Sequence, residues 1–472
     1  MSENKKRLAP VKESSAVYAD DEPSRLSGII FFLLCLMLVF SVVAFGAVDV
    51  WALGIFSVFA GLIVVFWTAD SLLKNEFRLT VSSLQIPLAG LITIGLIQLL
   101  PLRNLDFSKE SLNVGVVNSL SIAPYSTRLA IIQLVVYFVF FAAALTFISN
   151  YNRYRTVVLT IIIFGSITAF FGIMQRFANI ELIYGLRDPG QAFSFASFVN
   201  QHHFAAFMEM TIGLTLGLLF GKATKSNKRI FLLFAVIVMG MALVFTSSRG
   251  GMISLLGVVA FVVAANLLRK PSREVDSEET TTKTFRRNFA LVGGGLSLIL
   301  VLFSTVLLLG GDESLVRGVG LSNMNDVSNG RTHFWQVAWQ IFTNYPILGA
   351  GLDAFGIAFP QYDIWNGTFR IEQAHNDYLQ ILADAGIAGF ACVAAFIYLL
   401  FKKSLAVVSS STDRFRRGAA TGALAGCFGI LIHSFFDFPL RTPSNALFFL
   451  TLAVLTTIAV RSPKRVRQKI KY

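Results

Sequence analysis

The sequence predicts an all-α polytopic membrane protein of about twelve transmembrane helices. Of the 472 residues, 55% are hydrophobic, and mean hydropathy is +0.66. A helix needs about 20 apolar residues to cross a bilayer core about 30 Å thick, and runs of that length recur along the whole chain. The basic residues are also divided unevenly between alternate connections, as membrane insertion requires.

In chain order the expected spans lie near 27–45, 50–69, 80–100, 128–148, 156–177, 200–220, 229–247, 251–268, 288–309, 379–401, 417–434 and 444–460. The first 26 residues are polar and of mixed charge, with no short apolar core followed by a small-residue cleavage site. The first span is therefore expected to stay. This divides the chain into an N-terminal tail (1–26), nine helices (27–309), a large outer loop (310–378), three helices (379–460) and a basic tail (461–472). Cys35, Cys392 and Cys427 all fall inside expected helices, so no disulfide framework or metal-type spacing follows.

A formal net charge of +13 raises the question of nucleic acid, but the distribution answers it. Connections numbered alternately from the N-terminal tail place three quarters of the 40 Lys and Arg residues on one side. This positive-inside bias puts both termini in the cytoplasm. Contact with anionic lipid is a further use for the basic excess.

Two outer connections are long, 101–127 and 310–378, and long loops are usually functional. The second contains "RTHFWQVAWQIFTNYPILGAG" (331–351). Trp335, Ala338, Trp339 and Phe342 recur at i, i+3, i+4 and i+7, one apolar face of a helix. Its aromatic residues suit an interfacial helix on the outer leaflet, ended by Pro346 and by Gly349 and Gly351. The polar segment 271–287 is expected to be a flexible linker.

Candidate chemistry gathers on the outer side. His375 precedes the tenth span, beside Asn376, Asp377 and Tyr378. The positive end of a helix dipole disfavours an imidazolium there, and a neutral histidine at a wet surface can act as a general base. The three neighbours would orient it or bind a polar ligand. The plainer reading is a helix cap with a bystander histidine. In "TSSRGG" (246–251) Arg249 runs against the charge bias within a tight turn. A planar guanidinium there suits a diphosphate, and snorkelling to headgroups is the plainer reading. Arg331 opens the loop helix, Arg176 ends the fifth span and Arg370 precedes His375 by five residues. With Arg187, Arg317 and Arg441 these make the outer side rich in arginine and poor in lysine, a bias that fits phosphate.

His202 and Glu209 share one face of the sixth span. An acid within a membrane is a functional candidate; the plainer reading gives Glu209 a structural partner such as Arg176. His433 and Asp437 stand at i, i+4 and are expected to pair, a role toward substrate being the alternative. The outer side has no Asp-x-Asp pair for a divalent cation, and the chain has no P-loop and no Gly-x-Ser-x-Gly elbow. No metal and no cofactor are therefore expected.

The combination "SSRGG", "RTHFWQVAWQIFTNYPILGAGLDAFG", "AHNDYLQILADAGIAG" and "DFPLRTPSNA" resembles the bacterial O-antigen ligase and O-antigen polymerase family over roughly 160–460. The first 150 residues match in hydropathy alone. The resemblance implies an inner-membrane glycosyltransferase of GT-C type with a periplasmic active site and no metal. The donor would be a glycan on undecaprenyl diphosphate. The acceptor would be lipid A–core in a ligase, a lipid-linked repeat in a polymerase, or a protein hydroxyl in an O-oligosaccharyltransferase. The family's large-loop histidine falls on His375, its short-turn arginine on Arg249 and its loop-helix arginine on Arg331. The expected mechanism is base catalysis by His375 with inversion, the diphosphate being held by Arg249, Arg331 and Arg176. Asn376, Asp377, Tyr378, Arg370, His202 and Glu209 would contact substrate. Expected partners are the donor, the acceptor, membrane lipids and a chain-length regulator, and not nucleic acid. The "DFPLRTPSNA" stretch resembles members that assemble surface polysaccharide, which tilts the expectation toward a polymerase. Other classes are a flippase or transporter of lipid-linked sugars, in which paired halves and broken helices are common, and an envelope scaffold.

Overall fold

The computed structural model describes residues 24–102, 118–180, 182–190, 192–268, 293–294, 330–364 and 370–460. They form helices with no β-strand among the described residues. In order these are α1 (Arg25–Val43), α2 (Val50–Lys74), α3 (Gln85–Gln98), α4 (Pro124–Phe147), α5 (Tyr151–Phe177), α6 (Gln201–Phe220), α7 (Ser226–Phe245), α8 (Arg249–Leu267), α9 (Arg331–Asn344), the single turn α10 (Phe355–Ala358), α11 (Asp377–Ser410), α12 (Arg414–His433) and α13 (Pro443–Thr457).

Eight of them, α1, α2, α4 to α8 and α11, are long and apolar enough to cross a membrane. Two expected spans are shorter: α3 has 14 residues and α13 has 15. At 1.5 Å per residue each covers about 21–23 Å. The span expected near 288–309 and the linker at 271–287 lie outside the described residues, apart from residues 293 and 294.

The bundle is centred on α6 and α12, which are buried along most of their length. Small residues make that possible. Gly213 and Gly217 on α6 face Gly418, Gly422 and Gly426 on α12. A Cβ on Gly217 would lie 2.4 Å from Gly422 Cα, and one on Gly422 would lie 2.5 Å from Gly213 O. Lipid offers no hydrophobic drive between helices, so close van der Waals contact of backbones holds this pair.

α11 is broken. Gly386 has φ 62° and ψ −163°, which interrupts the helical hydrogen bonds. The segment after α9 fills the gap. Ile387 N donates to Pro346 O at 2.8 Å, Ala350 N to Ala383 O at 2.8 Å, and Gly351 N to Asp384 O at 3.0 Å. Gly349 is required there, because a Cβ would meet Ala385 N at 2.3 Å. Gln98, at the end of α3, donates to Asp384 O at 2.9 Å and accepts from Leu352 N at 2.8 Å. Backbone freed at membrane depth is thus satisfied by protein.

Polar residues separate to the two ends of the bundle. One end gathers Asp70, Lys74, Arg78 and Arg153 around the start of α1, with Arg416 binding Ile458 O at the end of α13. The other gathers His202, Ser248, Arg331, His375, His433 and Asp437.

The expected loop helix forms as α9, and two expected pairings are corrected. The buried face of α9 is Phe334, Val337, Ala338 and Ile341, with Trp339 exposed on the opposite side. The sequence carries two apolar stripes one position apart, and the aliphatic one packs inward. Glu209 pairs with His433 rather than Arg176, at 3.2 Å between Oε2 and Nδ1. His433 and Asp437 consequently do not pair through their side chains; the turn links them by Asp437 N donating to His433 O at 3.1 Å.

Candidate active site

The candidate site is built where α6, α8, α9, α11 and α12 end together. His375 lies one residue before the N-cap of α11 and has φ 50°, a left-handed conformation rare outside glycine. Such strain tends to persist where the surroundings impose it. The imposition comes from the next residues. Asn376 caps α11, accepting from Tyr378 N at 3.0 Å and Leu379 N at 3.1 Å, and donates to Phe435 O at 3.2 Å. Asp377 N donates to Ser434 O at 2.9 Å, and the Asp377 carboxylate accepts from Ser434 Oγ at 2.9 Å and Leu440 N at 3.2 Å. Tyr378 donates to Leu431 O at 2.7 Å. All three side chains therefore bind the 431–440 turn.

That turn delivers Asp437. Its carboxylate is almost wholly buried, accepts from Phe438 N at 2.9 Å, and takes two side-chain partners. His375 Nδ1 lies 3.0 Å from Oδ1, and Arg331 Nη2 lies 3.4 Å from Oδ2. Burial alone would raise the Asp437 carboxyl. The hydrogen bond from His375, the neighbouring His375 and His202 rings and the Arg331 guanidinium overcome it and hold the group well below the usual carboxylate range. An ionised Asp437 can only accept, so Nδ1 carries a proton, and in the neutral ring that leaves the lone pair on Nε2. The ring is held edgewise by Phe438, centroids 4.8 Å apart, and lies 5.9 Å from the Phe334 ring. The His375 side chain remains partly open at 29%, as does Arg331 at 25%.

The second wall comes from α6 and α8. His202 Nδ1 lies 2.9 Å from Ser248 Oγ, and Ser248 caps α8 by accepting from Gly251 N at 3.2 Å. Arg249 is the first residue of α8. Gly250 brings that turn against the 433–436 turn, since a Cβ there would lie 2.8 Å from His433 Cδ2 and 3.2 Å from Phe436 Cβ. Below, Glu209 and His433 pair in the interior.

The structure brings together His375, Arg331 and His202 among the expected site residues, with Arg249 on the adjoining turn. Arg370 pairs with Glu372 at 3.1 Å in an exposed position. Arg176 is exposed at the end of α5, and no described contact joins it to this cluster. Sequence reasoning gave Ser248 no site role, and weighed His433 and Asp437 as a mutual pair with a substrate role as the alternative. The histidine that Asp437 binds lies 62 residues upstream, a separation that periodicity does not register. Among the described residues no group of His, Cys, Asp and Glu has the geometry to hold a metal.

Residues 234–394 match the family described as O-antigen ligase. The match begins within α7, takes in Arg249, Arg331 and His375, and ends within α11. No curated protein matches the chain.

Proposed function

We propose, from the match of residues 234–394 to the O-antigen ligase model and from the His375 cluster, that the chain is an inner-membrane glycosyltransferase of the O-antigen ligase and polymerase family. It takes a glycan from undecaprenyl diphosphate and joins it to an acceptor hydroxyl, with chain polymerisation favoured over transfer to lipid A–core or to protein. Both termini lie in the cytoplasm and the His375 end faces the periplasm, as the charge bias supports.

The observation that carries this reading is the meeting of His375 and Arg331 on the buried Asp437. The acceptor hydroxyl oxygen attacks the anomeric carbon and its proton passes to His375 Nε2. The bond from that carbon to the diphosphate oxygen breaks, and the electron pair leaves with the diphosphate. Attack opposite the leaving group inverts the centre. Arg331 and Arg249 stabilise the growing negative charge, and Arg176 extends the cationic side if substrate draws it in. No metal is assigned a step. Asp437 fixes the tautomer of His375, as a carboxylate does for a catalytic imidazole. Asn376, Asp377 and Tyr378 position the turn that carries Asp437. His202 lines the opposite wall, Glu209 supports it from below, and Arg370 meets the acceptor at the rim.

Transport of lipid-linked sugars is the second reading, favoured by the break in α11. Against it, the backbone freed there is bound by the chain's own 346–351 segment. Incubating the purified protein with a polyprenyl-diphosphate glycan and resolving the products by gel separates the readings. A ladder supports polymerisation, a shift of lipid A–core supports ligation, and an unchanged donor that crosses the vesicle bilayer supports transport.

A further inference from the structure

At the end of the bundle away from His375, three cations surround one carboxylate. Asp70, on the last turns of α2, is buried. Lys74 Nζ lies 3.8 Å from its Oδ1, and Arg78 Nη2 lies 3.7 Å from its Oδ2. Both distances lie beyond hydrogen-bond range, and the nearer claim on Asp70 is the hydroxyl of Ser24. Ser24 Oγ accepts from Ser27 N at 3.0 Å, and Ser27 Oγ accepts from Arg153 Nη2 at 2.8 Å. The third cation is thereby tied to the same cluster. Arg153 is further fixed by donating to Phe147 O at 3.2 Å.

Among the described residues the charges do not balance. Three cations face one carboxylate at the amino end of α1, whose first turn contains no acidic residue and whose dipole adds positive potential. Lys74 Nζ, Arg78 Nε and Arg78 Nη2 are shielded from solvent and have no hydrogen-bond partner among the described residues. A shielded cationic donor left unmatched is costly. The loop is nevertheless held in place: Trp67 Nε1 donates to Arg78 O at 3.0 Å, and its ring stacks on the exposed Phe77 with centroids 5.9 Å apart. Indole and phenyl rings beside cations mark the headgroup level of a membrane.

We propose that Lys74, Arg78 and Arg153 form a binding site for a phosphate-bearing anion at the basic end of the bundle. Phosphate oxygens would accept from the unmatched nitrogens of Lys74 and Arg78 and offset the excess charge. Asp70 is engaged by Ser24 and faces Lys74 and Arg78 at 3.8 and 3.7 Å without saturating their donors. The anion comes either from an acidic phospholipid headgroup or from free phosphate. The site stands apart from the His375 cluster, and its test reads binding rather than glycan transfer.

The test measures affinity of the full-length protein, in neutral detergent, for phosphatidylglycerol, for phosphatidylcholine and for inorganic phosphate. Each ligand is measured with wild type, the K74Q/R78Q double variant and D70N. Wild type binds phosphatidylglycerol over phosphatidylcholine, and K74Q/R78Q binds it roughly 30-fold more weakly, the equivalent of ~1 kcal/mol per cation removed. D70N binds as tightly as wild type or more so, because it removes only the opposing charge. If inorganic phosphate shows the same pattern, the ligand is a free anion; if only the lipid does, it is a headgroup. Equal binding of both ligands by wild type and K74Q/R78Q overturns the proposal. Should that variant fail to fold, D70N decides: weaker binding by folded D70N overturns the site. Binding that appears only after Asp20, Asp21 and Glu22 are neutralised also overturns it, by assigning the cations to the chain's own tail.

Discussion

His375 and Asp437 lie 62 positions apart and meet at 3.0 Å, ring Nδ1 to carboxylate oxygen, with Arg331 on the second oxygen at 3.4 Å. Asp437→Asn keeps the shape of this contact but offers Nδ1 an ambiguous partner, so Nε2 is no longer reliably the free nitrogen. Transfer from a lipid-linked donor is expected to fall about 10²–10⁴-fold in kcat with donor KM little changed. A large rise in KM with unchanged kcat would assign Asp437 to binding instead.

The same carboxylate links stability to acidity. Its value in the folded protein is depressed, so its stabilising contribution is fully present above the unfolded value of about 3.9. The contribution is lost as pH falls below that value toward the folded one. Melting temperature in detergent should decline below about pH 4 in wild type, and less steeply in Asp437→Asn. Parallel declines in the two proteins would contradict the assignment.

Arg331 offers a planar fork that can hold Asp437 with one nitrogen and a phosphate with another. Arg331→Ala is expected to lower transfer about 10²–10³-fold. Arg331→Lys should recover only a small part, since an ammonium is a point charge without that fork. Full recovery by lysine would show that charge alone suffices.

The α6–α12 contact makes a structural prediction. Gly217→Ala puts a methyl 2.4 Å from the backbone of Gly422, with no flexible side chain to move aside, and should cost about 1–3 kcal/mol. Gly28→Ala, with nothing within 4 Å of its Cβ, should leave the melting temperature within about a degree of wild type or raise it. Thermal melts of the two variants in one detergent check both.

The all-helical, membrane-spanning class was legible because about 20 apolar residues per span is a local signal; eight helices among the described residues meet it. Features arising from contacts between distant segments were less so. The break at Gly386 stands inside an apolar run, and only its backbone angles and the docked 346–351 segment reveal it. The spacing of Gly213 with Gly217, and of Gly418 with Gly422 and Gly426, is a local small-residue pattern, but only the packed pair shows that the two stripes meet. On α9 the eye follows Trp335 and Trp339, while Phe334, Val337 and Ile341 take the core. His375, Arg331 and Asp437 could each be singled out by type and placement, but that Asp437 joins the other two is a long-range contact with no local signal.

The central claim, that the Nε2 of His375 removes the acceptor proton, is tested most directly by single-turnover glycan transfer with His375→Ala. The measurement is made in membranes, with expression and melting temperature matched to wild type. The account predicts that donor binding persists while transfer falls by at least about 10²-fold. Transfer at the wild-type rate by the folded variant would contradict it.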